Sequence, residues 1–264
     1  MKKNGKVPLL NGEISFNQTG EGAALVCIHA GFSDHRDWKY QVEAFSKKYL
    51  TIVYDQRGAG NSSVPITAFW PADDLKALMD DLKIEKTILI GHSVGGTVAV
   101  DFALQYPDRV SALVLVASGL SGHPWSQEYK EWEQSIFSTP QPDAMTNQTL
   151  STPFYATSMA KSELKAEIKT ITRENMQKIL TWQSFDIRLF FPNQISELKN
   201  IKIPTLIVYG DKDSQDIKKI AHTINDQVKS ATLIEMKNTD HLLNFENPEE
   251  LNSIILDFLL QVPQ

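Results

Sequence analysis

A serine flanked by glycines stands near the middle of this 264-residue chain. Ser93 follows Gly91 by two residues and precedes Gly95 by two, in the pattern Gly-x-Ser-x-Gly. An Ile- and Leu-rich run occupies residues 87–90, and residues 94–106 carry apolar side chains at helical spacing. A strand, a sharp turn and a helix in this order lift the serine hydroxyl clear of a sheet, where it can act as a nucleophile.

A serine hydroxyl is a poor nucleophile near neutral pH, so it needs an imidazole base, and the base needs a carboxylate that orients it. After a turn of this kind the acid and then the histidine are expected, each beyond a late strand. His241 follows the last predicted strand, and Asp213 follows the strand before it. We predict the triad Ser93, Asp213 and His241, with Asp211 and Asp240 as alternative acids because they lie close to the same loops.

Two backbone amides could stabilise a negatively charged oxygen beside the serine. The amide of Val94 begins the helix after the turn, where its N–H has no helical partner. The loop at residues 29–32 leaves an early strand, and we assign the second donor to Phe32. Phe32 and Val94 are therefore the predicted oxyanion hole. His29 is expected to hold this loop by hydrogen bonds and not to take part in catalysis.

A second glycine-containing loop lies at residues 55–60. It lacks the Lys-Ser/Thr ending of a phosphate-binding P-loop and the third glycine of a dinucleotide fingerprint. We interpret it as structural support, in which Asp55 and Arg57 are expected to pair.

The composition narrows the classes of partner. The formal net charge is −6, and Lys and Arg are scattered along the chain, which gives no electrostatic footprint for nucleic acid or an anionic membrane. Cys27 is the single cysteine and lies in an apolar run, so we expect a buried packing residue. The first apolar segment is too short for a signal peptide, and no run has the length of a membrane span. We expect a soluble cytoplasmic protein, and the sequence leaves the oligomeric state open.

The alternation of strands and helices defines the predicted fold class, α/β. It covers residues 1–117 and 199–264, which we predict to form one core with a mostly parallel twisted sheet and helices on both faces. Strands at residues 13–17 and 24–28 flank a glycine-containing turn and are expected to start the sheet as an antiparallel hairpin.

Between the two parts of the core, residues 118–198 lose this alternation, and we predict a helical cap insertion over the site. Helices are expected at residues 126–137 and 161–182. The segment is rich in large apolar side chains, of which most are expected to form the cap's own small core and a minority to line an apolar substrate pocket. These side chains are Trp125, Trp132, Phe137, Phe154, Tyr155, Met159, Trp182, Phe185, Phe190 and Phe191.

Taken in order, these segments resemble the α/β-hydrolase superfamily. The resemblance is to its small cap-bearing branch, which includes esterases, enol-lactone hydrolases and cofactor-free haloperoxidase-like proteins. It is carried by His29-Ala30-Gly31-Phe32, Asp55-x-Arg57-Gly58-x-Gly60, Gly91-His92-Ser93-Val94-Gly95-Gly96, Gly210-x-x-Asp213 and His241.

The resemblance also bears on the site residues. In the family the acid lies three residues after the glycine that ends a late strand, which supports Asp213, and the oxyanion amides fall at Phe32 and Val94. This chain departs from the family at two positions. Ala30 stands where a second glycine is usual, which could alter the oxyanion loop. Asp240 stands where a glycine often precedes the histidine, and its carboxylate could shift the pKa of His241.

Relatives that open epoxides or displace halide carry an aspartate at the turn, so Ser93 favours acyl transfer to water. We predict a serine hydrolase that cleaves a carboxylic ester or lactone of a small, fairly apolar substrate through an acyl-enzyme, without a metal or organic cofactor. A carbon–carbon bond hydrolase with the same triad is one alternative. A ligand receptor that keeps the fold without turnover is another.

Overall fold

Eight strands form one sheet in the computed structural model, which describes residues 2–262 of the chain. The ends of the predicted core, residues 1 and 263–264, lie outside the described residues. The strands are β1 (Lys2–Leu9), β2 (Gly12–Thr19), β3 (Ala24–Ile28), β4 (Leu50–Tyr54), β5 (Thr87–His92), β6 (Val110–Val116), β7 (Thr205–Gly210) and β8 (Ala231–Met236). Their order across the sheet is β1-β2-β4-β3-β5-β6-β7-β8.

Helices cover both faces of this sheet. They are α1 (Lys39–Phe45), α2 (Pro71–Asp81), α3 (Val94–Gln105), α4 (Gln127–Ile136), α5 (Pro142–Leu150), α6 (Ala156–Ala160), α7 (Ser162–Ile179), α8 (Gln215–Gln227), α9 (Leu243–Glu246) and α10 (Pro248–Leu259). Helix α1 packs on α10 and α2 packs on α3, while α8 lies against β7 and β8. The prediction of an α/β fold with covered sheet faces is confirmed.

The central strands are parallel and almost entirely buried. β5 pairs in parallel with β3 on one side and with β6 on the other. Every residue of β5 and β7 is buried, as is Cys27 on β3. A parallel strand covered on both faces needs apolar side chains in both directions, which explains the unbroken Ile, Leu and Val runs.

The predicted hairpin between residues 13–17 and 24–28 is wrong. β2 instead pairs antiparallel with β1 across a turn at Asn11, whose φ is 62°, and with β4 on its other edge. β3 lies between β4 and β5. The sequence pattern does not predict β1, because this polar edge strand has no continuous apolar run. Its sequence is Lys-Lys-Asn-Gly-Lys-Val-Pro-Leu.

The expected pairing of Asp55 with Arg57 is also wrong. The Arg57 guanidinium donates to both carboxylate oxygens of Asp74 on α2, at 2.9 and 2.7 Å. Asp55 accepts hydrogen bonds from the backbone amides of His35 and Asn61, each at 2.8 Å. The loop at residues 55–60 is therefore held as expected, but by contacts with residues outside it.

Helices α4 to α7 all lie between β6 and β7 in the chain. We propose that residues 118–198 form the cap. α4 and α7 agree with the predicted helices, whereas α5 arises in a stretch that reads as irregular. Pro142 occupies the first turn of α5, where its missing N–H costs nothing, and Thr146 and Thr149 bond back to carbonyls one turn earlier.

A buried carboxyl pair joins α6 to the core. The Asp240 carboxylate accepts a hydrogen bond from the Thr157 amide at 2.6 Å. The Glu246 carboxyl accepts from the Asp240 amide at 2.7 Å and from the Ser158 hydroxyl. Lys161 donates to the backbone carbonyl of Glu246 at 2.7 Å. Burial, reinforced by the neighbouring Asp240 carboxyl, raises the pKa of Glu246 to about 8.

Within residues 2–262, none of the helices combines the length and the apolar character needed to cross a membrane.

Glu246 makes the stability of the fold pH-dependent in a definite direction. Its pKa is about 8 in the folded chain against an ordinary 4.5, so between these values the folded state binds more protons than the unfolded state. Stability from this group is therefore fully present below pH 4.5 and is lost as the pH rises toward 8. We expect Glu246→Gln to flatten the decline of Tm between pH 5 and 8, measured by thermal unfolding in a pH series.

Glu43→Gln, at an exposed position on α1, is the matched control and should leave the slope of Tm against pH unchanged. An unaltered slope in Glu246→Gln would show that the Glu246 carboxyl is already ionised in the fold near neutral pH.

Candidate active site

Ser93 lies at a strained turn between β5 and α3. Its φ is 52° and its ψ is −117°, a backbone conformation that L-residues rarely adopt. The turn is tight enough that a Cβ on Gly91 would lie 2.4 Å from the Gly95 carbonyl oxygen, and one on Gly95 would lie 2.2 Å from that of Ile28. Both flanking glycines are therefore required by space, as their spacing around the serine indicates.

The side chains of Ser93, His241 and Asp213 form one hydrogen-bonded chain. The Ser93 hydroxyl lies 2.9 Å from His241 Nε2, and His241 Nδ1 lies 2.9 Å from Asp213 Oδ2. Because a carboxylate only accepts, Nδ1 carries the proton and Nε2 is free to accept from the serine. Asp213 and His241 are buried, and the Ser214 amide donates to the second Asp213 oxygen at 2.6 Å.

Two opposing effects act on the pKa of His241. Burial lowers it because the charged imidazolium loses its hydration, but the charge and hydrogen bond of Asp213 raise it, with smaller contributions from Asp240 and Asp37. The net result is a pKa above the ordinary value of 6.5.

Neither alternative acid contacts the His241 ring. Asp240 turns toward the Thr157 amide on α6. Asp211 receives only a hydrogen bond from Lys218 at its backbone carbonyl, and one of its carboxylate oxygens is buried without a partner. Within residues 2–262, Asp213 is the one candidate acid of the three whose carboxylate lies within hydrogen-bond distance of His241 Nδ1.

Every other histidine is engaged elsewhere. His35 bonds to Asp55, His92 to Asp37, His123 to Asp216, and His222 to the Tyr209 hydroxyl. His29 accepts from the Gln56 amide through Nε2 at 3.0 Å and bonds the Ala30 carbonyl through Nδ1 at 2.7 Å. These contacts fit the expectation that His29 holds its loop.

Phe32 and Val94 border the same cavity as Ser93 and His241. Phe32 has a φ of 58°, so the loop after β3 turns sharply at this residue, and Val94 is the first residue of α3. Within residues 2–262, no hydrogen bond to a protein acceptor occupies the N–H of either residue. Both residues with a free amide therefore border the cavity that contains Ser93.

A cavity of about 480 Å³ opens above Ser93 and is mainly apolar. Its cap side is lined by aromatic side chains from α4 and the residues flanking it, from the turn just before α6, and from the segment after α7. They are Trp125, Tyr129, Trp132, Phe137, Phe154, Tyr155, Trp182 and Phe185. Trp125 stacks on Tyr129 with ring centroids 3.9 Å apart, and the Tyr155 ring lies edge-on to His241 at 5.9 Å.

The expectation that a minority of the large cap side chains line the pocket is wrong. Seven of the ten named above do so, and Met159, Phe190 and Phe191 are the exceptions. The two small hydrophobic clusters of this segment contain mainly aliphatic residues such as Ile136, Met145 and Ile168. Trp132, Phe154 and Trp182 pack against these clusters and line the cavity at the same time. Tyr129 was missed as a lining residue, although its i, i+4 spacing from Trp125 was the available signal.

One cluster of metal-ligating residue types lies outside this cavity. Ligand atoms of Asp34, His35 and Asp55 lie within 4.8 Å of one another. Arg36 already donates to both carboxylate oxygens of Asp34, through Nε at 2.8 Å and Nη2 at 2.6 Å. The Asp55 carboxylate accepts hydrogen bonds from His35 and from the Asn61 amide. The lone pairs a cation would need are engaged by donors, so this cluster is a hydrogen-bond network and a poor metal site.

Comparisons with known proteins identify the family of the fold. The α/β-hydrolase fold family matches residues 23–248. A 2-hydroxy-6-oxononadienedioate/2-hydroxy-6-oxononatrienedioate hydrolase of Paraburkholderia phymatum is 28% identical over 94% of this chain and 91% of its own length. Carboxylesterase YbfK of Bacillus subtilis is 24% identical over 90% of this chain and 81% of its own.

Among solved structures, Est816, described as an N-acyl homoserine lactone degrading enzyme, superposes with a TM-score of 0.80 at 24% identity, over 96% of this chain and all of its own. At this identity the likeness concerns the fold alone. With the family match extending from β3 to the start of α10 and with the same sheet observed, this chain belongs to the α/β-hydrolase family.

Proposed function

We propose that this protein is a serine hydrolase that cleaves a carboxylic ester or lactone of a small, fairly apolar substrate. The observation that carries the proposal is the hydrogen-bonded chain from Ser93 through His241 to Asp213, which ends in an apolar cavity. A serine at a strand-to-helix turn becomes nucleophilic when a neutral imidazole can take its proton, and this arrangement supplies one.

In the proposed acylation step, Ser93 Oγ attacks the substrate carbonyl carbon while its proton passes to His241 Nε2. The carbonyl oxygen becomes an oxyanion and accepts hydrogen bonds from the amides of Phe32 and Val94. The imidazolium is stabilised by the Asp213 carboxylate, and it then protonates the leaving alcohol oxygen as the carbon–oxygen bond breaks.

Deacylation follows the same route with water. His241 Nε2 takes a proton from the water, whose oxygen attacks the acyl-enzyme, and the same two amides hold the second oxyanion. The proton then returns to Ser93 Oγ as the acid leaves. Each step uses groups of this chain and water, so the proposed mechanism requires no cofactor.

The similarity to the Paraburkholderia hydrolase makes a carbon–carbon bond hydrolase the second candidate. The name of that relative specifies a dicarboxylate, and a cavity for such a substrate needs unpaired cationic groups. Among the described lining residues, Arg57 is bound to Asp74, and Glu133 is a carboxylate without an ion-pair partner. This charge distribution favours a neutral substrate over a dianion.

The triad assignment predicts three variants with large losses of activity. Ser93→Ala and His241→Ala are expected to lower kcat for p-nitrophenyl butyrate by about 10⁴-fold or more, and Asp213→Asn by about 10⁴-fold, because the base loses its orientation. A fluorophosphonate probe should label Ser93 in the wild type, located by mass spectrometry, and labelling should fall in the Asp213 and His241 variants.

Asp211→Asn is the matched control for Asp213→Asn, since it makes the same chemical change two residues away. It should retain kcat within about threefold, because it does not contact His241. A folded wild type that the probe does not label would remove the hydrolase proposal and leave the ligand receptor.

The surroundings of His241 predict a specific pH dependence. The base must be neutral to accept the serine proton, so kcat/KM should rise with pH along an acidic limb centred above 6.5. Asp240→Asn removes a negative charge that raises the pKa of His241, and the limb should therefore move to lower pH. The measurement is kcat/KM against pH for both proteins. An unmoved limb would mean that Asp240 does not act on His241.

The cavity charge predicts a preference between matched substrates. p-Nitrophenyl butyrate and p-nitrophenyl hemisuccinate have acyl chains of equal length, and the second adds a carboxylate. We expect kcat/KM to favour the butyrate by about threefold, because Glu133 is exposed and its repulsion of the added carboxylate is screened by water.

Glu133→Gln should narrow that ratio, whereas Glu131→Gln on the same helix but outside the cavity lining should not. Faster turnover of the hemisuccinate would favour a dicarboxylate substrate and the second candidate.

A further inference from the structure

Two buried ionisable side chains next to the triad take no part in the proposed mechanism. His92 is the last residue of β5 and directly precedes Ser93. Asp37 lies in the short helix His35–Trp38 after the oxyanion loop. Both side chains are 1% exposed or less, so neither is held in place by solvent. Their hydrogen bonds must therefore explain why they are kept in the interior.

Both ring nitrogens of His92 have partners on the elements that carry the proposed site. Its Nδ1 lies 2.9 Å from Asp37 Oδ2, and its Nε2 lies 2.9 Å from the backbone carbonyl oxygen of His241. His92 therefore connects Asp37 to the backbone of His241 through its two ring nitrogens.

The surroundings of Asp37 favour its ionised form. Burial raises the pKa of Asp37, but the charge and hydrogen bond of His92 and a hydrogen bond from the Ala30 amide together hold it below its ordinary value. The Asn244 side-chain amide donates to the other carboxylate oxygen at 3.2 Å. Asp37 is therefore ionised and bonded on both oxygens.

The pair touches each part of the proposed catalytic site. The Ala30 amide donates to Asp37 Oδ2 at 3.0 Å, two residues before Phe32 in the oxyanion loop. His92 bonds the backbone of the base residue, His241, and is covalently next to the nucleophile. The imidazole ring of His92 is packed between the rings of Trp38, at 6.1 Å, and His241, at 5.3 Å. It has little freedom to change partners.

We propose that Asp37 and His92 act as one positioning pair that fixes the oxyanion loop and the His241 loop relative to Ser93. The inference rests on the proposed function, because the three parts it connects are the nucleophile, the base and the oxyanion donors. Neither side chain borders the cavity above Ser93, so their role is exerted through Ala30 and His241. A misplacement of about 1 Å in such groups costs on the order of 10²-fold in rate.

The test uses Asp37→Asn, which keeps the shape and removes the charge, and His92→Phe, which keeps a ring and removes both ring nitrogens. With p-nitrophenyl butyrate we expect kcat to fall by about 10- to 100-fold in each, with KM within about threefold, because orientation is lost and not substrate binding. The double variant should be no slower than the slower single variant, since the two residues act as a unit.

A second readout reports on the oxyanion position directly. A trifluoromethyl ketone adds to Ser93 Oγ, its proton passes to His241, and the resulting oxyanion occupies the site of the two amides. We expect its affinity to fall by about the same factor as kcat in both single variants. A role confined to folding would lower Tm without changing the ketone affinity of the folded protein.

The chain offers a matched control in a second buried His–Asp pair. His123 Nε2 lies 3.2 Å from Asp216 Oδ1, and the pair connects the cap to α8 without bonding the triad. His123→Gln should lower Tm and leave kcat within about twofold.

Folded Asp37→Asn and His92→Phe variants with wild-type kcat and ketone affinity would overturn the positioning role alone, provided that the fluorophosphonate probe labels Ser93 in the wild type. An unlabelled wild type would overturn the proposed function and the positioning role together.

Discussion

The backbone conformation of Ser93 constrains the strand and the helix on either side of it. A φ of 52° at a residue with a side chain is strained, and it persists only if the surroundings enforce it. β5 is fixed by parallel neighbours on both sides, and α3 starts at the very next residue, with Gly95 packed against the carbonyl of Ile28. The neighbouring strands and α3 therefore hold Ser93 in the strained conformation that presents its hydroxyl.

That constraint also explains how much of the site could be predicted. Gly91 and Gly95 are demanded by close backbone approach, so the candidate nucleophile is visible as a local pattern. His241 could be found from the order of the strands, because the carboxyl ends of parallel strands meet at one edge. Asp213 was preferred to Asp211 by its place just beyond the strand end, and the family resemblance supported it, but only three-dimensional geometry shows which carboxylate oxygen reaches His241 Nδ1.

The parts that escaped prediction depend on contacts between segments distant in sequence. Arg57 was assigned to its neighbour Asp55, whereas its partner Asp74 is supplied by another helix. The hairpin was assigned to adjacent strands, but β4 lies between them in the sheet. Hydrophobic periodicity predicts which face of a helix or strand is buried, but it does not predict which other element covers that face. Such errors are expected wherever two candidate contact partners have similar sequence patterns.

The proposed cap also depends on contacts between segments that are distant in sequence. Part of the segment that lines the cavity makes backbone contacts with the His241 loop. The His241 amide donates to the Phe154 carbonyl at 3.2 Å, and Asp240 accepts from the Thr157 amide. A cap that moved away from the core would break these contacts on the cap side of His241, while Asp213 and His92 would still hold it from the core. The His241 loop is thus held by the segment at Phe154 and Thr157 on one side and by Asp213 and His92 on the other, so a displacement of the proposed cap would also act on the position of the proposed base.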